Sequence, residues 1–223
     1  MLEARPSTRS IVRARNESEK QQLVARIIES AKKVFFSTGY IKATMEEIAR
    51  GAKITKPTIY QYFKNKDDLY FSLMTPVIDD IGTQLRKIEA RLAQRKYKSG
   101  KALLDDMFQC FYNSYKLSPD AFRIVQMFQQ TGLVAQLDEN MRDLMNAKGR
   151  NNFKLGRMIL SDAMNQGLVK TVDIHSLTDL LWGMSLGVIQ LEDIKGDYAK
   201  GNTFKRSALS LAQDIFISAL VKR

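Results

Sequence analysis

From Leu23 onward the apolar residues return every three or four positions, and this spacing leaves one fold class open. Side chains at i, i+3, i+4 and i+7 share a face of an α-helix, whereas a half-buried strand alternates every second residue. Alternating runs are absent, and 4 prolines and 12 glycines in 223 residues leave little to interrupt a helix. The chain reads as all-α, with about nine helices.

Local capping chemistry divides the pattern. Residues 1–17 are polar and carry Arg5, Arg9, Arg13 and Arg15 without periodicity, which reads as a flexible basic arm. Ser18-x-x-Gln21 has capping-box spacing and is expected to open the first helix, whose stripe is Leu23, Ile27, Ala31 and Val34. Gly39 is expected to stop it. Thr44-x-x-Glu47 is a second capping box, Thr55 caps a very short third helix with Pro57 in its first turn, and Asn65 caps a long fourth helix that contains Pro76. Five more helices are expected, over about 100–116, 119–131, 134–167, 175–194 and 202–222.

Between residues 44 and 63 two short helices flank a tight turn, the arrangement of a helix-turn-helix. Met45, Ile48, Ala49, Ile54 and Ile59 are placed to lock it, leaving Lys56, Pro57, Thr58, Gln61 and Tyr62 on or near the outer face. These side chains suit phosphates and base edges. Charge agrees: of the net +11, residues 1–70 hold 14 Lys/Arg against 8 Asp/Glu, and the rest of the chain 21 against 16. A basic first third suits a polyanion.

The runs Ala31-Lys32-Lys33-Val34-Phe35-Phe36-Ser37-Thr38-Gly39-Tyr40, Thr44-Met45-Glu46-Glu47-Ile48-Ala49 and Ile54-Thr55-Lys56-Pro57-Thr58-Ile59-Tyr60-Gln61-Tyr62-Phe63-Lys64-Asn65-Lys66-Asp67-Asp68-Leu69 resemble the tetracycline-repressor (TetR) family over about residues 21–81. The resemblance implies a DNA-binding domain over 18–81 and a helical ligand-binding and dimerisation domain over 82–223. It makes the third helix the recognition helix, with Thr55, Lys56, Pro57, Thr58, Tyr60 and Tyr62 at DNA-contacting positions, and Thr44 and Lys66 at phosphates. It further implies a homodimeric repressor on double-stranded DNA, bound at a pseudo-palindromic operator and released by a small molecule. Lys53 departs from the family, which usually has glycine in this turn. A side chain in a left-handed turn costs roughly 1–2 kcal/mol, part of which Lys53 recovers if it meets a phosphate.

In the C-terminal part, Phe108, Phe111, Tyr112, Tyr115, Phe122, Met127, Phe128, Met141, Phe153 and Met158 are candidate linings for an apolar or amphipathic effector, with Arg123 and Arg157 available to an anion. The resemblance assigns the dimer interface to the last two helices, where Trp182, Gly183, Leu186, Gly187, Leu209, Ala212 and Phe216 are the candidates. Aromatic stripes of this kind also form ordinary cores. A helical interaction protein, or a sequence-independent DNA-organising protein without a ligand response, fits the residues alone.

Cys110 is the sole cysteine, so no intrachain disulfide can form and a reducing cytoplasm is the expected setting. No apolar run approaches the roughly 18 residues of a membrane span, so no membrane partner is expected. His175 stands alone, no phosphate-binding glycine loop occurs, and Asp105 and Asp106 lack His or Cys at ligand spacing. Neither an enzyme, a metal nor a cofactor is expected.

Overall fold

The computed structural model describes residues 8–130, 139–198 and 207–221. Among them are nine helices and no strand: α1 (Thr8–Lys42), α2 (Met45–Gly51), α3 (Lys56–Tyr60), α4 (Lys66–Ala93), α5 (Gly100–Leu117), α6 (Pro119–Gln130), α7 (Glu139–Asn165), α8 (Ile174–Tyr198) and α9 (Ser207–Leu220). They form two compact units, Met1–Leu73 and Met74–Arg223. The division falls inside α4, close to Pro76, earlier than the boundary at 81 expected from the sequence.

In the first unit α1 starts at Thr8 and not at Ser18. Ser18 lies within the helix on its exposed face, so the expected capping box is not formed. No Gly or Pro separates Thr8 from Ser18. Extending an existing helix costs far less than nucleating one, so the helix continues upstream into the stretch expected as an arm. Arg5, and the side chains of Arg9, Arg13 and Arg15, lie outside the described residues.

Ile27, Ala31 and Phe35 of α1 are buried with Ile48 of α2, Ile59 of α3 and Leu69 and Tyr70 of α4. Each such side chain contributes about 1.5–3 kcal/mol when withdrawn from water. Gly39 breaks α1 with φ +75° and ψ 162°, a backbone conformation closed to other residues. Beyond this break the Tyr40 ring packs 4.8 Å from Tyr70, which in turn meets Phe35 edge-on at 4.9 Å. Ser30, buried in α1, donates its hydroxyl to the Ile48 carbonyl at 2.8 Å. Gly51 makes that approach possible, since a Cβ there would lie 2.3 Å from Ser30 Oγ.

In the second unit α5 packs against α6, α8 and α9, while α7 packs on α8. The centre is Leu103, Leu104, Phe108 and Phe111 of α5, with Ile189 of α8 and Leu209 of α9. A buried carboxylate ties three helices together. Asp193 of α8 accepts from Tyr115 Oη of α5 at 2.6 Å, and from Arg123 of α6 through Nε at 2.5 Å and Nη2 at 3.0 Å. Arg123, a candidate for an anionic ligand on sequence grounds, is thereby occupied within the fold.

Candidate DNA-binding surface and ligand cavity

The turn after α2 has the geometry of a Schellman cap. Lys53 N–H donates to the Arg50 carbonyl at 3.1 Å, Ile54 N–H to the Ala49 carbonyl at 3.0 Å, and Lys53 itself sits at φ +58°. The left-handed position is therefore real, and lysine occupies it. Both short helices begin as their sequences dictate. Thr44 Oγ1 accepts from Glu47 N–H at 3.2 Å, while a Glu47 carboxylate oxygen accepts from Thr44 N–H at 3.0 Å. Thr55 caps α3 through Thr58 N–H at 3.4 Å. These caps, each closed within one turn, fix where α2 ends and α3 begins.

Only Ile59 and Phe63 of the stretch 55–63 are buried. They anchor α3 and its exit, leaving Thr55, Lys56, Pro57, Tyr60 and Gln61 exposed and Thr58 and Tyr62 half-buried; Thr44 and Lys53 are exposed beside them. Tyr60 is 45% exposed, which places it on the outer surface and not in the core. The residues expected at DNA are thus accessible to solvent around α3. A groove of about 560 Å³ lies between α2, the start of α4 and Lys56 and Tyr60 of α3, lined also by Thr44, Glu46, Glu47, Arg50 and Lys66. Arg50, in the last turn of α2, was not among the residues singled out from the sequence, although its place two residues before the turn puts it on this surface. Glu46 approaches Lys56 at 3.7 Å, and with both side chains more than half exposed the pair contributes little to stability.

Lys66, expected at a phosphate, is half-buried and lines this groove. Its ammonium donates to the carbonyls of Tyr40 at 2.8 Å, Ala43 at 3.1 Å and Ile41 at 3.3 Å, and lies 4.4 Å over the Tyr40 ring. Partial burial pulls its pKa below the ordinary lysine range, with Asp67 opposing the shift. All three donors serve the carbonyls at the end of α1, which have no helical partners of their own. Tyr40 Oη donates to Asp67 beside it, closing the clasp.

The second unit holds a cavity of about 400 Å³ between α4, α6, α7 and α8. Val77 and Ile81 of α4, Phe122 of α6, Phe153 of α7 and Trp182 and Leu186 of α8 form its apolar wall; Gln126, Asn146, Arg150, Asn152 and Arg157 supply polar groups. Of the expected lining residues Phe122 and Phe153 are here, as is Arg157. Phe108, Phe111, Tyr112 and Tyr115 are instead core residues: α5 is enclosed by three helices, so its aromatic face meets Phe216 and Trp182 and not a cavity. Met127 does not line it, Met158 is 45% exposed, and the Phe128 side chain lies outside the described ones. The α4 and α8 walls were missed because their residues look like any helical core until the partners are known.

The expected dimer residues fall into two sets, one turned to the chain's own interior and one exposed. Trp182 stacks on Phe153 at 4.2 Å and Leu186 lines the cavity, while Leu209, Ala212 and Phe216 are buried within the chain. Gly183 and Gly187 are exposed. The outward apolar residues are others: Leu180, Leu191 and Ile194 on α8, and Leu211 and Ile215 on α9. Both helices carry two apolar faces, and the intrachain core took the one containing the aromatics.

Among the described residues no group of three or more His, Cys, Asp or Glu is placed to hold a metal, and no helix is long and apolar enough to cross a membrane. Cys110 is buried, its thiol pushed up to about 12 by desolvation and by Asp80. A capped pair of short helices locked on a longer one, with a polar and basic outer face, defines a helix-turn-helix protein. Residues 27–73 match the family model of bacterial regulatory proteins of the tetR family. The HTH-type transcriptional regulator HbdR of Aromatoleum sp. is 42% identical over 65 residues, which are 29% of this chain and 28% of that protein. The HTH-type transcriptional activator FasR of Mycolicibacterium smegmatis is 28% identical over 111 residues, 50% of this chain and 46% of that protein. The chain therefore spans less than half the length of these curated relatives. The crystal structure of the transcriptional regulator FadR from Bacillus subtilis in complex with stearoyl-CoA superposes with a TM-score of 0.63 at 19% identity, covering 87% of this chain and 98% of that one. That likeness extends the shared fold through the helical C-terminal unit.

Proposed function

We propose that the protein is a ligand-responsive transcription repressor of the cytoplasm that binds a pseudo-palindromic operator as a homodimer. The observation that carries this reading is the face of α3, where Ile59 and Phe63 point inward and Thr55, Lys56, Pro57, Tyr60 and Gln61 outward. Phosphate contacts from Thr44, Lys53 and Arg50 position α3, and its side chains read base edges in the major groove. Lys66 lines the protein groove beside α3 with its ammonium engaged on three backbone carbonyls, and is left out of the contacting set. The second copy is seated on Leu180, Leu191 and Ile194 of α8 and Leu211 and Ile215 of α9, an apolar surface for which a second copy is the natural cover.

The cavity of the second unit is the effector site in this reading. Its volume lies within the range of small-molecule pockets. Stearoyl-CoA in the Bacillus subtilis FadR structure, an apolar chain on an anionic head, supports an amphipathic effector. Val77, Ile78 and Ile81 of α4 line the cavity, so an occupant that favours one placement of α4 biases the helix whose first turn caps and packs the reading unit. Repression is the mode implied by family resemblance; a relative named as an activator makes its sign a matter for experiment. Selection from a random duplex pool tests the whole reading. Binding to the recovered site is expected to exceed non-specific binding by roughly a thousandfold or more, and Lys56→Ala with Tyr60→Ala to abolish the gap. A protein that binds every duplex equally, or a double variant that binds as the wild type does, refutes it.

A further inference from the structure

The cavity has one charged side. Arg150 and Arg157 of α7 both line it, while no Asp or Glu does. Neither arginine is paired with any described residue, although other basic side chains nearby are: Lys148 reaches Asp79 at 2.5 Å, Arg142 reaches Glu139 at 4.0 Å and Arg123 reaches Asp193. Seven residues apart on one helix, the two arginines share a face about 10 Å apart along the axis, within joint reach of one extended head group. Between them on the same face of α7 lies Phe153, stacked on Trp182 of α8, and Phe122, Val77 and Ile81 continue the apolar lining.

We propose that Arg150 and Arg157 hold the anionic head of a long-chain amphiphile whose apolar chain lies against Trp182, Phe153 and Phe122. This rests on the cavity being the effector site. A guanidinium binds carboxylate or phosphate through paired, charge-assisted hydrogen bonds, and the absence of a competing carboxylate in the lining leaves both forks to the ligand. An uncharged chain leaves both arginines to water and gains nothing from them.

Trp182 is the only tryptophan of the chain and lines the cavity, so its emission reports occupancy directly. The titration uses stearoyl-CoA, stearate and methyl stearate against the full chain, the Arg150→Ala/Arg157→Ala variant and the Arg150→Lys/Arg157→Lys variant. The two anions are expected to shift Trp182 emission and methyl stearate to bind far more weakly. The alanine variant is expected to lose at least about tenfold in affinity for the anions, the loss of one charge-assisted hydrogen bond, while binding methyl stearate as the wild type does. The lysine variant keeps the charges without the forks and falls between. The stronger of the two anions identifies the head as phosphate ester or carboxylate. Unchanged anion affinity in the alanine variant, or methyl stearate binding as tightly as stearate, overturns the arginine assignment alone. If none of the three probes moves Trp182 emission in the wild type, the cavity reading falls, and this proposal with it.

Discussion

Lys53 holds a left-handed backbone position that suits glycine, and replacing it by glycine separates a backbone cost from a DNA contact. At φ +58° the lysine bears roughly 1–2 kcal/mol that glycine avoids. Glycine in turn widens the unfolded ensemble, offsetting about 0.4–1 kcal/mol of that gain. The net expectation for Lys53→Gly is a stabilisation of about 1 kcal/mol, or about 2–4 °C in Tm for a chain of this size. Arg95 supplies a control in the second unit. It sits at φ +52° in the same cap, with its N–H on the Leu92 carbonyl at 2.9 Å and Lys96 N–H on the Arg91 carbonyl at 3.0 Å. Arg95→Gly is expected to stabilise its unit equally, by denaturant melts of the full chain. Only Lys53→Gly is expected to alter DNA binding: losing one phosphate contact from each of two subunits lowers the slope of log K against log salt by about 1.8. A destabilised Lys53→Gly refutes the backbone argument, whereas a gain in stability with an unchanged slope removes Lys53 from the DNA contacts.

Lys66→Met is expected to destabilise the first unit by about 1–3 kcal/mol in denaturant melts, through the loss of hydrogen bonds to three carbonyls, without changing the salt slope of DNA binding. Gly51→Ala forces Ser30 Oγ off the Ile48 carbonyl and is expected to cost about 1–3 kcal/mol by urea unfolding. Leu191→Glu with Ile215→Glu is expected to give a folded monomer in sedimentation at micromolar concentration; a dimer unaffected by both charges places the interface elsewhere. Alkaline pH is expected to unfold the protein early. Burial pushes Tyr70 from 10.0 to about 12 and Cys110 from 9.0 to about 12, so the unfolded chain gives up these protons first. Their contribution is intact below pH 9 and lost as the pH climbs to 12, in a melt series that flattens for Cys110→Ala.

What the sequence showed correctly is what a single turn decides. The Thr44–Glu47 box, the Thr55 cap, and Asn65, whose Oδ1 accepts from Asp68 N–H at 2.8 Å, are local chemistry and fall where the spacing put them. The start of α1 was placed too late because Ser18 and Gln21 have the spacing of a box without being at an end. In the second unit the helices were legible but their faces were not. α8 carries Trp182 and Leu186 toward the interior and Leu191 and Ile194 outward, and no intrinsic preference distinguishes two apolar stripes. Arg123 finds Asp193 70 residues away and Lys66 meets carbonyls more than 20 residues upstream, partners that only the folded chain brings together.

The clasp of Lys66, Tyr40 and Asp67 bears on how a duplex is chosen. Because the end of α1 and the start of α4 are fastened by the protein's own groups, the proposed recognition surface is expected to meet nucleic acid with its supporting helices already ordered. The adjustment on docking then falls to the double helix, and sequences that bend or narrow easily at the uncontacted base pairs gain an advantage over rigid ones.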